Sequence, residues 1–368
     1  MSDVFGLADP LGPEQVIHFH EPATGLRAIL VVDNTACGMA IGGTRMAPDV
    51  SLEECFRLAR AMTLKNAAAS LPHGGAKAVI FGDPKMPVAD KERLMRAYGY
   101  ALKDVRDYTP GPDMGTDERA MAWVRDVAGR ALGLPREIGG IPLDEIGATG
   151  FGLAAALDTA QRHGGFEVAG ARVAIQGFGA VGAHAARFLV QRGAVLVAAA
   201  DSRGSIANAN GFDVDALIGW KKDGRALAEF EGGAPGSAEA IIDIDCDIWI
   251  PAARPDVLHE GNVERLRAKV VAQGANIPAT PGAERRLAER GVLVLPDFIA
   301  NAGGVICAAV EYRGGSERDA FAAIDEKIRY NVDAVLERAS REHVLPRDAA
   351  VRLADERVRR AMALRRRY

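Results

Sequence analysis

Two lysines occupy surroundings that a generic surface cation does not explain. The chain has nine lysines among its 45 basic residues, and none of them precedes Lys65. Lys65 lies near the end of a predicted helix, and Lys77 follows the turn PHGGA at the start of a predicted strand. Such a helix–turn–strand connection can bring both ammonium groups to one cleft, where they would bind an anionic substrate. Two neighbouring cations also repel each other, which favours the neutral form of one lysine. The pattern predicts an anion site in which a lysine acts as general base.

Asp113, in the Gly/Pro-rich loop PGPDMGT, is the candidate carboxylate partner of these lysines. Spacing alone also leaves purely structural interpretations open. Lys65 could be a helix residue whose ammonium group extends to solvent, and Asp113 could be an acid that stabilises its own turn.

A second pattern with specific chemistry is GxGxxG in RVAIQGFGAVG, between a predicted strand and a predicted helix. The first glycine of such a motif permits a tight turn, and the second lets the backbone approach a pyrophosphate, which the helix N-terminus attracts with free N–H groups. The motif therefore predicts a dinucleotide site. Its candidate cofactor-binding residues are Gly177, Phe178, Gly179, Ala180, Val181 and Gly182.

The next predicted strand ends at Asp201, roughly 24 residues beyond Gly177 and close to the ~20 expected for a ribose-binding acid. A carboxylate at this place accepts the ribose hydroxyls and repels a 2′-phosphate, so NAD is favoured over NADP. Arg203 keeps NADP possible, because its guanidinium group could bind that phosphate instead.

The elements that must position these groups indicate two α/β domains, since single cores stop growing at roughly 250–300 residues and this chain has 368. Ser51 followed by Glu54 predicts the start of the helix that carries Lys65. Beyond residue 148, strands that alternate with helices predict a mostly parallel, doubly wound sheet. Its five apolar runs each end in a small or polar loop: VAIQ-GFG, VLVAAA-DSRG, DIWI-PAA, KVVAQ-GAN and VLVL-PDF.

Composition argues against several other functions. The formal net charge of −4 disfavours nucleic acid and anionic membranes as partners. No apolar run reaches the ~18 residues of a membrane span, and the first residues lack a signal pattern. The four cysteines have no paired spacing and the seven histidines form no HExxH motif, so we expect reduced thiols, a cytoplasmic protein and no metal. The six arginines among the last twelve residues are interpreted as a solvated helix end.

Six segments, in order along residues 17–312, resemble signatures of the glutamate/leucine/phenylalanine/valine dehydrogenase family. They are LKNAAASLPHGGAKAVI, GPDMGTDE, GATGFG, GFGAVG, AQGAN and PDFIANAGGV. The resemblance implies an α/β fold with an N-terminal α/β substrate domain, a Rossmann-type doubly wound dinucleotide-binding domain and a cleft between them. The substrate and oligomerisation domain would span residues 1–136, the Rossmann domain would span 137–330, and a C-terminal helix at 331–368 would pack back on the first domain.

The same resemblance implies roles for individual residues. Lys65 would bind the substrate α-carboxylate, Lys77 would activate water, and Asp113 would handle protons at the amino nitrogen. The other implied residues are Thr149 at the nicotinamide carboxamide, Asn276 and Asn301 on the nicotinamide and substrate side, and Gly43 at the substrate. The implied reaction is reversible oxidative deamination of an L-amino acid by NAD to a 2-oxo acid and ammonia, in a homo-oligomer.

Two positions bear on the choice of amino acid. Glutamate enzymes of the family carry lysine and serine where this chain has Ile41 and Ala308. A γ-carboxylate would find no partner there, so an apolar substrate such as leucine, valine or phenylalanine is expected. Glutamate is the alternative, because the segment around AQGAN and NAGG resembles glutamate enzymes closely.

Two further interpretations stay open. A catalytically silent, nucleotide-binding relative is disfavoured because Lys65, Lys77, Asp113 and Thr149 are all retained. His73 stands where relatives often carry an apolar or aromatic residue, and it either supports the site or is a hydrogen-bonded turn histidine. The second interpretation is favoured.

Overall fold

The computed structural model describes residues 4–365, and the chain forms two compact units. Unit 1 comprises the chain up to Pro142, then Val305–Ala320 and the segment from Val351 onward. Unit 2 comprises Leu143–Gly304 and Phe321–Ala350. The chain therefore enters unit 2, returns to unit 1, and repeats this exchange once near its C-terminus.

Unit 1 is built on a five-stranded mixed sheet with the order β1-β2-β4-β3-β5. Strands β1 and β2 are antiparallel to each other, as are β2 and β4, whereas β3 runs parallel to both β4 and β5. The strands are β1 (Gln15–Glu21), β2 (Leu26–Asn34), β3 (Ala40–Ala47), β4 (Gly74–Phe81) and β5 (Tyr108–Pro112). The first helices are α1 (Leu52–Ala68), α2 (Val88–Ala101) and α3 (Glu118–Ala128).

Helices cover both faces of this sheet, which explains why β2 is apolar at consecutive positions rather than alternating. One face packs on α2 and α3 in a cluster that includes Leu30, Tyr98 and Met121. The other face packs on α1 in a cluster that includes Val31 and Ala59. With both faces buried, the middle of the sheet is a rigid support for side chains at its ends.

Unit 2 contains a seven-stranded sheet with the order β12-β11-β10-β6-β7-β8-β9. Its strands are β6 (Arg172–Gln176), β7 (Val195–Asp201), β8 (Gly204–Ala207), β9 (Ala234–Gly236), β10 (Ile248–Pro251), β11 (Val270–Ala272) and β12 (Leu293–Leu295). The five runs predicted from sequence are β6, β7, β10, β11 and β12, and all neighbours among them pair in parallel. The predicted doubly wound, Rossmann-type sheet is confirmed. The short antiparallel strands β8 and β9 extend it at one edge.

The remaining helices continue the chain order. They are α4 (Ala148–Gly164), α5 (Ala180–Val190), α6 (Val214–Lys222), α7 (Pro281–Glu289), α8 (Asp297–Ala300), α9 (Gly303–Tyr312), α10 (Glu317–Glu342) and α11 (Pro346–Leu364). In the part of the chain that is described, each helix is too short or too polar to cross a membrane. The four cysteines are free thiols, and three of them are buried.

The first boundary between the units lies after Pro142, whereas the sequence placed it after residue 136. The carboxylate of Glu311, in unit 1, explains the difference. It accepts hydrogen bonds from the backbone N–H groups of Leu134 and Ile141, at 3.2 and 3.1 Å. The segment just beyond residue 136 is therefore tied to unit 1.

The C-terminal segment 331–368, expected to pack as a whole on the first domain, is instead divided after Ala350. Before this point, Asp333 of α10 forms an ion pair with Arg162 of unit 2 at 2.7 Å. Beyond it, Arg357 of α11 donates a hydrogen bond of 2.7 Å to a backbone carbonyl at the end of α1. Only the second part joins unit 1.

The C-terminal arginine run is only partly a solvated helix end. Arg359 and Arg360 are exposed. Arg365 is exposed as well, although it donates a hydrogen bond of 2.6 Å to the backbone carbonyl of Thr35. Arg357, by contrast, is half-buried. Arg366 and Arg367 of the predicted run lie outside the described residues.

Candidate active site

The centre of the candidate site in unit 1 is an ion pair between Lys77 and Asp113. Lys77 lies on β4, and Asp113 directly follows β5. The Lys77 Nζ atom lies 2.6 Å from Asp113 Oδ2, and the two side chains are 7% and 21% exposed. Since β3 lies between β4 and β5 in the sheet, the two side chains meet across β3.

Gly43 of β3 makes this meeting possible. A Cβ atom at Gly43 would lie 2.8 Å from the Cβ of Asp113 and 3.2 Å from the Nζ of Lys77. The neighbouring Gly42 is still more restricted, because a Cβ there would lie 1.7 Å from the backbone oxygen of Ala76 on β4. Gly43 thus leaves the space in which the lysine and the aspartate come together, and Gly42 lets β3 lie close against the backbone of β4.

Arg45 is a member of the site that the sequence analysis missed. Its Nε lies 3.1 Å from the same Asp113 oxygen that contacts Lys77, and its NH1 lies 2.5 Å from Glu54. A signal was present, because residues two apart on a strand face the same side of the sheet and Arg45 is two residues after Gly43. Ser51 does accept the Glu54 N–H at 3.1 Å as predicted, but the Glu54 carboxylate is directed to Arg45.

The charge of Asp113 is set by opposing effects. Burial raises the pKa of its carboxyl, but attraction to Lys77 and to Arg45 outweighs burial and leaves the pKa below its ordinary value of 3.8. Asp113 is therefore an acceptor-only carboxylate at neutral pH. Its loop is fixed as well, because Thr116 accepts the Asp113 N–H at 3.0 Å and donates to the Thr44 carbonyl at 2.8 Å.

Lys65 lies in the last turn of α1 and is half-buried. The adjacent Asn66 anchors this turn, since its side-chain amide donates to the Gly74 carbonyl at 2.7 Å and to the Ile41 carbonyl at 3.4 Å. The helix also packs closely on β4, where a Cβ at Gly75 would lie 2.0 Å from the helix backbone. Strands β3 and β4 therefore hold both the end of α1 and the Lys77–Asp113 pair.

His73 is a buried turn residue next to β4. Its Nδ1 lies 3.2 Å from the Met39 carbonyl, and its ring packs edge-on against Tyr312 at 5.0 Å. Burial, and secondarily the positive charge of Arg313, lower its pKa below the ordinary histidine value. Its Nε2 has no hydrogen-bond partner among the described residues. The geometry favours a neutral turn histidine.

The two positions that bear on substrate choice both lie in unit 1. Ile41 is on β3, two residues before Gly43, and it is 5% exposed. Ala308 is on α9 and is partly exposed. Neither side chain can donate a hydrogen bond or carry a charge.

In unit 2, the loop between β6 and α5 has the geometry that a pyrophosphate requires. Gly177 has φ +97°, and a Cβ at Gly182 would lie 1.9 Å from the Gly177 carbonyl oxygen. A Cβ at Gly179 would meet no described atom within 4 Å, so the loop is open at this point. Helix α5 begins at Ala180 without a side-chain cap from any described residue. Its first N–H groups are therefore available to an anion, and the loop fits a dinucleotide.

Asp201 lies at the end of β7, as predicted, but it is not an isolated carboxylate. Its Oδ2 lies 2.5 Å from the Nζ of Lys221, on α6, and its Oδ1 accepts the Arg203 N–H at 2.8 Å. The guanidinium of Arg203 points elsewhere and donates to the Gly224 carbonyl at 2.9 Å. Partial burial would raise the Asp201 pKa, but the bonds to Lys221 and Arg203 lower it overall.

The structure brings together two further candidate residues of unit 2. The Asn301 side-chain amide donates to Asn276 Oδ1 at 3.1 Å and to the Gly274 carbonyl at 3.2 Å. Thr149 lies in the first turn of α4, where a Cβ added to Gly304 would be 3.2 Å from its hydroxyl. Among the described residues, no group of histidine, cysteine or acidic side chains could hold a metal ion.

Comparison with known proteins identifies relatives over nearly the whole chain. Residues 139–366 match the family model described as glutamate/leucine/phenylalanine/valine dehydrogenase, and residues 13–129 match the model of the dimerisation domain of Glu/Leu/Phe/Val dehydrogenases. The chain is 37% identical to a glutamate dehydrogenase of Aeropyrum pernix, over 90% of this chain and 85% of that protein. It is 39% identical to an NADP(+)-dependent glutamate dehydrogenase of Pyrobaculum calidifontis, over 91% of this chain and 85% of that protein.

A solved structure is also similar. The hetero-hexameric glutamate dehydrogenase of Thermus thermophilus, in a leucine-bound form, superposes with a TM-score of 0.87 at 30% identity. The match covers 97% of this chain and 91% of that one.

Proposed function

Because this chain belongs to the glutamate/leucine/phenylalanine/valine dehydrogenase family and is an amino-acid dehydrogenase, we propose that it catalyses the reversible oxidative deamination of L-glutamate. In the forward direction the amino acid, NAD(P)⁺ and water give the 2-oxo acid, ammonium, NAD(P)H and a proton. The observation that carries the chemistry is the Lys77–Asp113 pair of 2.6 Å, with little exposure to solvent.

In this proposal Lys77 is the general base that takes a proton from the water attacking the substrate iminium carbon. Asp113 receives and returns protons at the amino nitrogen, and Arg45 keeps a cation beside this carboxylate while Lys77 is neutral. Lys65 binds the α-carboxylate of the substrate. Gly43 gives the substrate access to the pair, because a side chain there would fill the same space.

The cofactor supplies the hydride acceptor, and residues of unit 2 would hold it. The backbone of Gly177, Phe178, Gly179, Ala180, Val181 and Gly182 would bind the pyrophosphate, as the open, uncapped start of α5 supports. Thr149, Asn276 and Asn301 would orient the nicotinamide end, where the two asparagines already share a hydrogen bond.

We propose that both NAD and NADP are accepted, with NAD preferred. Asp201, at the end of β7, would accept the ribose hydroxyls, as the sequence predicts. Its ion pair with Lys221 also puts a cation where the 2′-phosphate of NADP would bind. This cation would reduce the repulsion between the Asp201 carboxylate and that phosphate. One relative is named NADP(+)-dependent, which supports the wider specificity.

Glutamate is proposed as the substrate because the relatives at 37% and 39% identity, each matched over about nine tenths of this chain, are both named glutamate dehydrogenases. The proposal requires that a cation other than residue 41 anchors the γ-carboxylate. An unpaired buried carboxylate would otherwise cost several kcal/mol.

An apolar amino acid is the second candidate, and one observation favours it. Ile41 is buried on β3 beside the Gly-Gly pair and cannot bind a carboxylate. An apolar substrate side chain would gain roughly 0.8 kcal/mol for each CH₂ group that it buries against such a residue.

NADH formation with a panel of L-amino acids tests both candidates. Glutamate is expected to exceed leucine, valine and phenylalanine in kcat/KM. If apolar substrates lead by ~100-fold or more, which corresponds to about 3 kcal/mol, the second candidate replaces the first. Turnover of no amino acid, with NADH still bound, would indicate a catalytically silent relative.

The variant Ile41→Lys, alone and combined with Ala308→Ser, sharpens this test. If no cation serves the γ-carboxylate in the wild type, the pair of changes should raise glutamate turnover and depress apolar substrates. The two changes should also couple energetically if both groups reach one carboxylate. If glutamate turnover falls instead, another cation already holds that carboxylate.

We also propose that the enzyme is a homo-oligomer. The match of residues 13–129 to a dimerisation domain and the hexameric relative support this assembly. Light scattering on the purified protein measures the assembly directly, and a monomer at micromolar concentration would refute the proposal.

A further inference from the structure

An ionic network in unit 2 joins the start of α11 to two loops of the sheet. Arg347 is the centre of this network, with a side chain that is 24% exposed. Its Nε donates to the two Glu284 carboxylate oxygens at 2.9 and 2.8 Å. Its NH2 lies 2.8 Å from Gln273 Oε1 and 2.9 Å from Asp297 Oδ1. One guanidinium group therefore contacts three elements that are distant in sequence.

The partners of Arg347 are themselves connected. Gln273, directly after β11, donates through its side-chain amide to Glu284 at 2.7 Å and accepts the Asp297 N–H at 3.0 Å. The second oxygen of Asp297 accepts the backbone N–H of Ile277 at 2.8 Å. The network therefore closes the loop after β11 and fixes Ile277, which has the uncommon φ of +49°.

The two loops carry the asparagines of the proposed nicotinamide site. Asn276 lies between Gln273 and Ile277, within the loop that the network closes. Asn301 follows α8, and its backbone N–H bonds to the Asp297 carbonyl at 2.7 Å. The side chains of Asn276 and Asn301 meet at 3.1 Å. Asn301 is thus bonded to Asp297, which contacts Arg347, and Asn276 is adjacent to Ile277, whose N–H also bonds to Asp297.

We propose that Arg347 is a positioning residue of the dehydrogenase: it acts through Gln273 and Asp297 to hold Asn276 and Asn301 in the geometry that orients the nicotinamide ring. This inference rests on the proposed function. The planar guanidinium suits the task, because its donors reach several acceptors in fixed directions, which a lysine cannot reproduce. Glu284 and Asp297 are 4% and 5% exposed, so loss of Arg347 leaves two buried carboxylates without their cation.

The test compares Arg347→Met and Arg347→Lys with a control, Arg329→Met. Arg329, on α10, also joins the C-terminal segment to unit 2, through Asp158 at 3.0 Å. Its other partners among the described residues are Asp325 and Thr159, which lie outside the asparagine loops. Binding is measured with two probes on the full-length protein, NADH and ADP-ribose, which lacks the nicotinamide ring. Thermal unfolding, kcat and KM are measured on the same samples.

Arg347→Met should weaken NADH binding by ~10-fold or more and lower kcat similarly, since misplacement by about 1 Å can cost ~10²-fold. ADP-ribose should bind as it does to the wild type, and Arg347→Lys should restore part of the loss. Arg329→Met should lower the melting temperature without changing the ratio of NADH to ADP-ribose affinity.

Equal losses of NADH and ADP-ribose affinity, or a lower melting temperature with unchanged NADH affinity and kcat, would overturn the proposal and leave Arg347 a structural residue. If Arg347→Met does not fold, Arg347→Lys decides by the same criteria. If the wild type turns over no amino acid, the proposed function fails, but the two binding probes still report on Arg347.

Discussion

The two candidate sites of this protein use their residues in opposite ways. In unit 1, the functional groups are the charged side chains of Lys77, Asp113 and Arg45, which are already bonded to one another. In unit 2, the functional groups of the loop 177–182 are backbone N–H groups at the open start of α5. The first site is thus pre-assembled from side chains, whereas the second offers its donors to a ligand.

Glycine shows the same contrast. Gly43 is needed because protein atoms crowd it, since a Cβ there would touch Asp113 and Lys77. At Gly179 a Cβ would meet no described atom within 4 Å, so a glycine is needed there only if a ligand approaches. A substitution at Gly43 should therefore disturb the protein itself, and one at Gly179 should be felt only on binding.

The largest expected effect is that of Lys77→Ala. Turnover should fall by at least ~10³-fold, because general-base catalysis typically contributes about 10²–10⁴. NADH affinity should be retained, because Lys77 belongs to unit 1 and the fingerprint loop to unit 2. The measurements are steady-state kinetics and NADH fluorescence titration.

The matched control for this variant is Lys85→Ala, which removes an exposed lysine from the loop after β4 and should leave turnover unchanged. If Lys77→Ala retains half of the wild-type rate, Lys77 has no part in the mechanism.

The glycine comparison gives the next prediction. Gly43→Ala should lower both the melting temperature and kcat, the latter by ~10-fold or more, because the new methyl group displaces Asp113 or Lys77. Gly179→Ala should leave the melting temperature of the free protein unchanged and raise the Kd for NADH by ~10-fold. Thermal unfolding with and without NADH measures the stability of each variant and its affinity for NADH, and steady-state kinetics measures kcat.

The contrast between the sites would be broken if Gly179→Ala destabilised the free protein as much as Gly43→Ala does. Gly129→Ala is not a suitable control, because Gly129 has φ +79° and would be strained by any side chain. Gly219→Ala is suitable, since its Cβ would meet no described atom within 4 Å and its φ is not positive.

A smaller effect is expected from Arg45→Met, and it concerns pH. Burial raises the pKa of Asp113, and Lys77 and Arg45 lower it to below the ordinary 3.8. A carboxyl group with a depressed pKa adds stability above its unfolded pKa and loses it as the pH falls through the folded pKa. Because Arg45 lowers the Asp113 pKa, its removal should raise that pKa. The loss of stability on acidification, and the acid limb of the kcat/KM profile, should then both occur at higher pH.

The measurement for Arg45→Met is kcat/KM and the melting temperature between about pH 2.5 and pH 8, a range that includes values below the ordinary 3.8 of an aspartate. Arg45→Lys retains the charge and should move the acid limb less. An acid limb at the same pH in all three proteins would show that Asp113 is not the group that titrates in that limb.

The dinucleotide loop could be predicted from sequence because its information is local. The motif GxGxxG, the strand before it and the helix after it lie within a few residues, and all five predicted parallel strands are present. What the sequence did not indicate is the pair of antiparallel strands β8 and β9, since runs of four and three residues carry too little periodicity.

The charged cluster of unit 1 was harder to predict because its contacts cross the sheet. Lys77 and Asp113 were selected by residue type, but only the order β4-β3-β5 brings them together. Arg45 was missed because the only signal was its position two residues after Gly43, and its contact with Asp113 depends on the pairing of β3 with β5. The Lys221–Asp201 pair was missed for the same reason, since it depends on how α6 packs beside β7.

The smallest expected effect concerns that pair. Lys221→Ala should increase the preference for NAD over NADP by roughly 3–10-fold, because an exposed or partly exposed charge pair contributes about 1 kcal/mol. The carboxylate of Asp201 would then face a 2′-phosphate without its neutralising partner, while ribose hydroxyls could still donate to it. The measurement is the ratio of kcat/KM for the two cofactors. Lys222→Ala is the control, since the neighbouring lysine is exposed and should leave that ratio unchanged.

Asp201→Ala completes this comparison from the other side. The affinity for NAD should fall, because the hydrogen bonds to the ribose hydroxyls are lost. The affinity for NADP should rise, because Lys221 becomes available to the 2′-phosphate. The rise in NADP affinity should be absent from the double variant, in which Asp201 and Lys221 are both changed to alanine, because the cation responsible for it is missing. If the double variant kept the gain, the 2′-phosphate would depend on another cation such as Arg203. A wild type that already prefers NADP by tenfold or more would show that Lys221, rather than Asp201, dominates this end of the cofactor site.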